Sequence, residues 1–304
     1  MRVCPRCRIT IDAQRCPEDG AFTVTRQVLV DTGRDPNIGA FVAERYGIIK
    51  RLGVGGMGAV YLAIDTKSEG GQGLIALKFL REQYARHPAI RQRFIREAEA
   101  ALAVQSPFVV PLVDFGVDAD RTLWLAMAYV EGWTLRDEVN QHGAFGVDDI
   151  VRLARQTLQG LAAAHDVGLV HRDLKHDNIM FSGTRADFVA RILDFGVVSS
   201  QVADQELAGD AGKLTGVGVM VGSPSYMSPE QIKGLAVGPP ADIYALAVVM
   251  YEALTARRLF SVNNYESLVR AGARRDAPPL TVTGAGEPVP ASLDRILRRA
   301  LAHD

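Results

Sequence analysis

The spacing of apolar residues changes character along the chain. Between residues 46 and 82, short alternating runs are interrupted by glycines, a pattern typical of β-strands joined by tight turns. Residues 88–104 instead repeat apolar side chains at the spacing of an amphipathic helix. Further strands are predicted at Val109–Phe115, Thr122–Tyr129, Ile179–Phe181 and Ala190–Leu193, and further helices at 148–167, 241–255 and 291–302.

These elements predict an α+β chain in two lobes. A β-rich first lobe precedes an α-rich second lobe, and they join near Tyr129–Gly132, a natural place for a ligand cleft. Residues 1–20 hold every cysteine of the chain, and residues 21–45 are turn-rich and weakly periodic. We therefore divide the chain into a cysteine-rich segment at 1–20, a connector at 21–45 and a main domain at 46–304.

Composition narrows the class of protein. Of the 304 residues, 48% are hydrophobic, enough to bury a sizeable core. Lys and Arg number 34 against 35 Asp and Glu, and this balance argues against bulk binding of nucleic acid. No run approaches the roughly 18 apolar residues of a membrane span, and no secretion signal is recognisable. We expect a cytoplasmic protein with no membrane span in this chain.

The first chemical signal is a glycine-rich run from Leu52 to Val60. Glycines at Gly53, Gly55 and Gly58 let a strand–turn–strand bring its backbone N–H groups close to phosphate oxygens. An isolated run of this kind is more often a plain hairpin, so it carries little weight alone.

The second signal is Lys78, which ends an alternating strand at Ile75-Ala-Leu-Lys78. Its functional interpretation is a cation over the α- and β-phosphates of a nucleotide, and such a flexible ammonium needs a carboxylate to hold it. Glu97 is the candidate, because it follows Phe94 by three residues and lies near the inward stripe of its helix. Glu99 points away from that stripe. Read alone, Lys78 is a surface charge.

The third signal, His171-Arg-Asp-Leu-Lys-His-Asp-Asn178, is far more specific, and Asp194-Phe-Gly follows it. Asp173 is predicted to orient an attacking hydroxyl, and Lys175 to steady the charge of the γ-phosphate. Asn178 and Asp194 supply the hard oxygen ligands that suit Mg²⁺. Phosphoryl transfer needs mainly positioning and charge neutralisation, which these side chains can supply.

Together these motifs resemble those of the eukaryotic-like protein kinase family, in its bacterial-type Ser/Thr branch, from about Tyr46 to the end. The elements occur in the family's order and spacing, and Ser228-Pro-Glu230 completes them. The resemblance implies a bilobal protein-kinase fold, ATP and Mg²⁺ as cofactors, and protein substrates. Lys175 is the Ser/Thr-type feature, and Asp242 resembles the buried aspartate that braces the catalytic loop. The alternative for Asp242, which is compatible with the first, is an acidic residue at a helix start after Pro239-Pro240.

The resemblance also implies an adenine pocket. Val60, Ala76 and Met180 are expected to contact the two faces of the adenine ring, and Met127 resembles the gatekeeper residue. Ala128, Tyr129 and Val130 resemble the hinge, whose backbone groups would pair with adenine. Apolar packing at these positions would hold in any fold.

Regulation is expected through the segment from Asp194 to Glu230. Arg172, next to the catalytic aspartate, can pair with a phosphate on that segment and order it. The candidate phosphosites are Thr215, Ser199, Ser200 and Ser223. Thr215 is the favoured one, and a plain loop hydroxyl is the alternative. By resemblance, Ser223 contacts the catalytic Asp and Lys.

The sequence departs from the family pattern at several positions. His176 replaces the usual proline and is expected to change the stiffness of the loop. Ala128 replaces a common hinge glutamate. The arginine that usually pairs with Glu230 would lie just beyond Asp304, so we expect a piece of a longer protein, and a membrane anchor beyond that point is conceivable.

The cysteine-rich segment contains two Cys-Pro-x-ligand knuckles, Cys4-Pro-Arg-Cys7 and Cys16-Pro-Glu-Asp19. Cys-x2-Cys spacing suits one tetrahedral Zn²⁺, and Asp19 stands in the position of the missing fourth cysteine. The segment resembles a small zinc ribbon with a structural or partner-docking role. The alternative is a disordered tail with free thiols. If the segment only docks partners, its removal leaves phosphoryl transfer intact.

Three other functions compete with an active protein kinase. A pseudokinase would bind nucleotide without transfer, but all the residues needed for transfer are present. A small-molecule phosphotransferase would lack the docking segment Gly222–Glu230. A scaffold would act mainly through the cysteine-rich segment. A dimer for trans-autophosphorylation is a further expectation.

Overall fold

The computed structural model describes residues 2–32, 35–68, 73–118, 122–195, 224–260 and 277–302. The chain divides into two units, one formed by Met1–Ala98 with Pro111–Tyr129 and the other by Glu99–Val110 with Val130–Asp304. Within the described ranges, no helix combines the length and apolarity needed to cross a bilayer.

The first unit is built mainly on antiparallel strands. Its elements are β1 (Arg2–Val3), β2 (Thr10–Ile11), β3 (Val24–Thr25), α1 (Arg26–Thr32), β4 (Phe41–Val42), β5 (Tyr46–Gly55), β6 (Gly58–Asp65), β7 (Gly73–Leu80), α2 (Glu82–Ala85), α3 (Pro88–Leu102), β8 (Leu112–Val117) and β9 (Leu123–Ala128). They form a small sheet in the order β2-β1-β3 and a six-stranded sheet in the order β4-β5-β6-β7-β9-β8.

One face of the six-stranded sheet, which we call the covered face, packs on the main core of this unit. Alternation along β7 places Ile75 and Leu77 on this face, and Tyr61 of β6 pairs with Leu77. The buried residues of this core are Val24, Ile38, Val42, Tyr46, Ile48, Tyr61, Ala63, Ile75, Leu77, Trp124 and Ala126. The first three lie in residues 21–45, the predicted connector. That segment therefore contributes β3, α1 and β4 to the first unit and covers its sheet.

The second unit is mainly helical. Its elements are β10 (Trp133–Thr134), α4 (Leu135–His142), α5 (Val147–Asp166), β11 (Ile179–Gly183), β12 (Phe188–Ile192), α6 (Pro229–Ile232), α7 (Pro239–Thr255) and α8 (Ala291–Ala300), with short 3₁₀ turns at His176–Asn178 and Pro224–Tyr226. The predicted helices at 148–167, 241–255 and 291–302 are confirmed to within two residues at each end.

Helix α7 is the central helix of this unit. It begins with Pro239-Pro240, which suits the first turn because proline has no N–H to satisfy there. Most of its residues are buried, including Leu246 and Val248, so the helix is apolar on nearly every side. Such a helix is a rigid support for any loop bonded to it.

An aromatic cluster fixes the small sheet β10-β11-β12. Phe181 of β11 is 1% exposed, and its ring centroid lies 4.6 Å from that of Phe188 and 6.1 Å from that of Trp133. Phe145, just before α5, lies 6.1 Å from the same ring. The hairpin β11–β12 is therefore held by contacts between its own aromatic rings and by the rings of Trp133 and Phe145.

We predict that Phe181→Ala lowers the free energy of unfolding by about 3–5 kcal/mol, because the lost ring leaves a cavity among the other aromatic side chains. Chemical denaturation monitored by circular dichroism measures the change. Leu235→Ala is the matched control, since Leu235 is 59% exposed, and it is expected to cost less than about 0.5 kcal/mol. Equal losses in the two variants would show that the cluster does not hold the hairpin.

Candidate active site

The glycine-rich run lies where β5 turns into β6. Gly55 pairs with Gly58 across the turn, and Gly53 pairs with Val60. A Cβ on Gly58 would lie 1.7 Å from the carbonyl oxygen of Phe79, so no side chain fits there. A Cβ on Gly53 or Gly55 would meet nothing within 4 Å. Those two glycines therefore leave open space beside the hairpin backbone, which fits a phosphate-binding loop.

The register of the sheet gathers four predicted nucleotide-contacting residues on one face. Val60 pairs with Lys78, and Ala76, two residues before Lys78 on β7, pairs with Met127. Directly paired residues, and residues two apart on a strand, share a face. All four therefore lie opposite the covered face, on what we call the Lys78 face.

Helix α3 packs on this same Lys78 face. Phe115 pairs with Leu125, which pairs with Lys78, so Phe115 shares that face. Phe94 of α3 contacts Phe115 at a ring-centroid distance of 6.0 Å. Glu97 follows Phe94 by one turn and is only 8% exposed, whereas Glu99 is exposed, as predicted. Packing thus brings the helix that carries Glu97 onto the face that carries Lys78.

The predicted catalytic loop forms a tight hydrogen-bonded turn in the second unit. Lys175 Nζ lies 2.8 Å from Asp173 Oδ2. Asn178 Nδ2 donates to the backbone carbonyl of Asp173 at 2.7 Å. The amide oxygen of Asn178 is thereby directed away from the loop backbone, where it can act as a metal ligand.

The hairpin β11–β12 brings Asn178 and Asp194 to the same end. Asn178 directly precedes β11, Asp194 follows β12 by two residues, and Leu193 N–H donates to the Asn178 carbonyl at 2.8 Å. Asp194 has a φ of 51°, a backbone conformation that few side-chain-bearing residues adopt. One carboxylate and one amide oxygen at one hairpin end are a donor set that fits Mg²⁺.

Asp242, at the start of α7, braces the catalytic loop as the sequence predicted. Its Oδ2 accepts the backbone N–H of His171 and its Oδ1 that of Arg172, both at 2.8 Å. His165 Nε2 lies 2.8 Å from the same carboxylate. Arg172 has a φ of 64°, so the two bonds hold the loop in a turn it would otherwise avoid.

His176 takes part in a hydrogen-bond network whose members the sequence did not predict. His176 is buried, and its Nδ1 lies 2.9 Å from the hydroxyl of Tyr226. That hydroxyl donates to Glu252 Oε2 at 2.8 Å and accepts a hydrogen bond from Arg136 at 3.0 Å. The only sequence signal was the histidine in place of proline. In the fold, it joins the catalytic loop to the segment around Tyr226.

Burial sets the protonation of this network. Burial lowers the pKa of His176 to about 3, with a further lowering from the Arg136 charge. Burial raises the pKa of Glu252. His176 is therefore neutral at physiological pH, and Arg136, Asp177 and Arg258 are the other charges that act on it.

The cysteine-rich segment gathers the four predicted ligands. Ligand atoms of Cys4, Cys7, Cys16 and Asp19 all lie within 4.8 Å of one another. Cys4 Sγ lies 3.2 Å from Asp19 Oδ2, and Cys7 Sγ lies 3.5 Å from Cys16 Sγ. All three cysteines are free thiols.

The remaining predicted residues are distributed as follows. Tyr129 ends the first unit, and Val130 and Met180 belong to the second. Thr215 and Ser223 lie outside the described residues, as do Gly196 and Gly222.

Comparison with known proteins agrees with these elements. The protein kinase domain model matches residues 46–285. The chain is 32% identical over 270 residues to Ser/Thr-protein kinase pkn3 of Myxococcus xanthus, covering 88% of this chain and 48% of that protein. It is 33% identical over 264 residues to PknB of Mycobacterium tuberculosis, covering 86% of this chain and 40% of that protein. The chain thus spans less than half the length of these curated relatives.

A solved structure shows the same architecture. The crystal structure of the Mycobacterium tuberculosis PknI kinase domain matches with a TM-score of 0.63 and 28% identity, over 88% of this chain and 91% of that one. The predicted protein-kinase fold, with a β-sheet lobe and a helical lobe, is confirmed. The chain belongs to the protein kinase family, and its curated relatives named above are bacterial Ser/Thr-protein kinases. Membership in this family implies ATP and Mg²⁺.

We predict that Asp242→Ala lowers the free energy of unfolding by roughly 3 kcal/mol or more, because the buried N–H of His171 and the partly buried N–H of Arg172 lose a charged acceptor. Denaturant unfolding measures the loss. Asp166→Ala removes an exposed aspartate of α5 and is expected to change stability by less than about 0.5 kcal/mol. A loss below about 1 kcal/mol for Asp242→Ala would contradict the brace.

His176 predicts a pH dependence of stability. Its pKa is lower in the folded state than in the unfolded chain, so the unfolded state binds more protons as pH falls from about 6.5 towards 3. Between pH 7 and pH 5, the wild type should therefore lose about 2 kcal/mol more than His176→Gln. Glu252 acts in the opposite direction in both proteins, so the difference isolates His176. Parallel curves of unfolding free energy against pH would refute the prediction.

Proposed function

We propose that this chain is an ATP-dependent protein Ser/Thr kinase. The observation that carries the proposal is the loop from His171 to Asn178. Hydrogen bonds from Lys175 and Asn178, together with the bond of the loop backbone to Asp242, fix the position of Asp173, whose carboxylate is partly exposed. A positioned carboxylate beside a cation is what the transfer of a phosphoryl group to a hydroxyl requires.

Each predicted residue takes a definite role in this mechanism. Asp173 orients the substrate hydroxyl and accepts its proton, and Lys175 balances the charge that develops on the transferred group. Asn178 and Asp194 would hold Mg²⁺, whose charge neutralises the phosphate oxygens. Lys78 binds the α- and β-phosphates, and Glu97 holds Lys78 in place.

The nucleotide base is proposed to bind against the Lys78 face. Val60, Ala76 and Met127 supply apolar contacts there, and Met180 is proposed as a further contact of the base on the family resemblance alone. Tyr129 and Val130 offer backbone groups to the base. Gly53, Gly55 and Gly58 keep the hairpin backbone open to the phosphates.

A protein substrate is favoured by the described part of the docking segment. Gln231 of α6 donates to the carbonyl of Arg172 at 2.8 Å, and Tyr226 contacts His176. These bonds tie residues 224–232 to the catalytic loop. A surface held next to the catalytic aspartate is suited to present a polypeptide hydroxyl to it.

Control by phosphorylation is proposed through Thr215 and Arg172. A phosphate on Thr215 would carry about two negative charges, which the guanidinium of Arg172 can bind. The backbone N–H of Arg172 donates to Asp242, and its carbonyl accepts a hydrogen bond from Gln231. These two bonds fix the backbone of Arg172, which supports its role as a preformed binding residue for the phosphate. Ser223 is proposed to contact Asp173 and Lys175.

A structural Zn²⁺ is proposed for Cys4, Cys7, Cys16 and Asp19. Four protein ligands close the coordination shell, which is typical of structural and not catalytic zinc. Docking of a partner through this segment and dimerisation for trans-autophosphorylation are separate hypotheses.

We predict that Asp173→Asn reduces phosphoryl transfer at least about 100-fold, because the proton acceptor and its negative charge are lost while the shape of the side chain changes little. The purified chain is incubated with Mg²⁺, γ-labelled ATP and a generic protein substrate, and the label is mapped by mass spectrometry. Asp187→Asn, at a side chain 98% exposed, is the matched control and should keep full activity.

Label on wild type and control, with Thr215 among the sites, is the expected result. ATP binding by all three proteins without label on any of them would refute phosphoryl transfer by this chain and favour a pseudokinase.

A further inference from the structure

The cysteine-rich segment contains the same backbone turn twice. In Cys4–Ile9 and in Cys16–Ala21, the first residue donates its N–H to the carbonyl of the sixth, at 2.9 and 2.8 Å. The fifth residue donates its N–H to the carbonyl of the first, at 3.1 and 2.9 Å. That fifth residue, Arg8 or Gly20, has a φ of 68° or 69°. The two copies thus share one conformation.

The fourth residue of each copy belongs to the same cluster of ligand atoms. In the first copy this residue is Cys7, whose sulfur lies 3.5 Å from the Cys16 sulfur. In the second, the Ala21 N–H donates to Asp19 Oδ1 at 3.0 Å. Asp19 therefore occupies the place in the repeat that Cys7 occupies in the first copy. Its carboxylate is directed like a ligand, not like a surface acid.

The four groups form a cluster of the right size for one ion. The 3.2 Å between Cys4 Sγ and Asp19 Oδ2 and the 3.5 Å between the Cys7 and Cys16 sulfurs are close to the edges of a tetrahedron, about 3.3–3.8 Å, around zinc. Backbone N–H groups of Arg6 and Cys7 also donate to Cys4 Sγ, each at 3.4 Å.

The segment is also packed directly against the six-stranded sheet. A Cβ on Gly39 would lie 2.1 Å from Pro5 of the first copy, so the knuckle sits against that backbone. Gly39 N–H donates to the Ile48 carbonyl at 2.9 Å, and the Phe22 N–H donates to the Gly39 carbonyl at 2.7 Å. Gly39 thus links the knuckles to β5.

Aromatic side chains extend this contact. The Phe22 ring is fully buried, and a Cβ on Gly47 of β5 would lie 2.6 Å from it. The guanidinium of Arg2 lies 5.0 Å from the Phe22 ring centre, and that of Arg15 lies 3.8 Å from the Phe41 ring centre. Cation–π contacts of this kind add a favourable electrostatic attraction to the packing.

We infer that Cys4, Cys7, Cys16 and Asp19 bind one Zn²⁺ ion, and that this ion anchors β5, the strand that leads into the glycine-rich turn. A segment of this size cannot bury enough apolar surface to order itself, so the metal supplies its folding free energy. Without the metal, the contacts of Phe22 with β5 and of Pro5 with Gly39 are lost. The metal therefore acts on the nucleotide-binding sheet without touching nucleotide.

The ligand set is tested with the full-length chain and three variants. The wild type is expected to retain one equivalent of zinc, and Asp19→Ala to bind it at least about tenfold more weakly. Asp19→Cys should restore tight binding and, with Co²⁺ as the probe, raise the thiolate-to-cobalt absorption by about one third, from three to four Co–S bonds. Glu18→Ala, an exposed acidic neighbour, is the control and should match the wild type.

Failure of the wild type to bind one equivalent of Zn²⁺ or Co²⁺ would overturn the site. Equal affinities of Asp19→Ala and Glu18→Ala would remove Asp19 from it.

The coupling to the sheet is tested by hydrogen exchange with mass spectrometry, comparing zinc-loaded and chelated protein. Amides of residues 38–55 should exchange at least about tenfold faster after metal removal, and re-addition of Zn²⁺ should reverse the change. Peptides from α7 are the internal control and should not change. Faster exchange confined to residues 2–20 would refute the anchor, and faster exchange in α7 as well would replace it with general unfolding.

Discussion

The carboxylate of Asp242 is the constraint on which the proposed chemistry depends. It is buried on a helix that is itself apolar on nearly every side, and it accepts the N–H groups of His171 and Arg172. A left-handed turn at Arg172 costs of order 1–3 kcal/mol, while hydrogen bonds to a charged acceptor contribute about 1.5–3 kcal/mol each. Two such bonds outweigh the strain. The loop therefore turns at Arg172, and this turn sets the position of the next residue, Asp173.

From that fixed point, the other groups are placed by short bonds and by strand register, not by long flexible loops. Lys175 and Asn178 bond to Asp173 within the same turn, and β11–β12 brings Asp194 to the same end. In the first unit, pairing across the sheet sets Val60, Ala76 and Lys78 on one face. Sheet register is resistant to small changes, because a slip of one residue would turn every side chain to the opposite face.

Much of this was accessible from the sequence, for identifiable reasons. The helices at 148–167 and 241–255 were predicted because their patterns are long and periodic or continuously apolar. The catalytic loop was predicted because its chemistry is contained in eight consecutive residues. In both cases the signal is local.

What the sequence did not predict depends on contacts between distant positions. The partners of His176 lie 50 and 76 residues away, at Tyr226 and Glu252, and no local pattern pairs them. The sequence did not predict that residues 21–45 form regular elements of the first unit, because β3 and β4 have two residues each, too few for any periodicity. The strand predicted from Val109 begins at Leu112, since Val109 instead forms an isolated bridge with Ile192.

The covered face of the first sheet has a consequence for solubility. The protein kinase domain model begins at residue 46, and a chain trimmed to that boundary would lose Val24, Ile38 and Val42. Tyr61, Ala63 and Leu77, which are nearly or fully buried in the whole chain, would then face water side by side. A contiguous apolar patch of this kind promotes self-association. In this protein, the residues that precede position 46 thus also protect the folded domain from self-association.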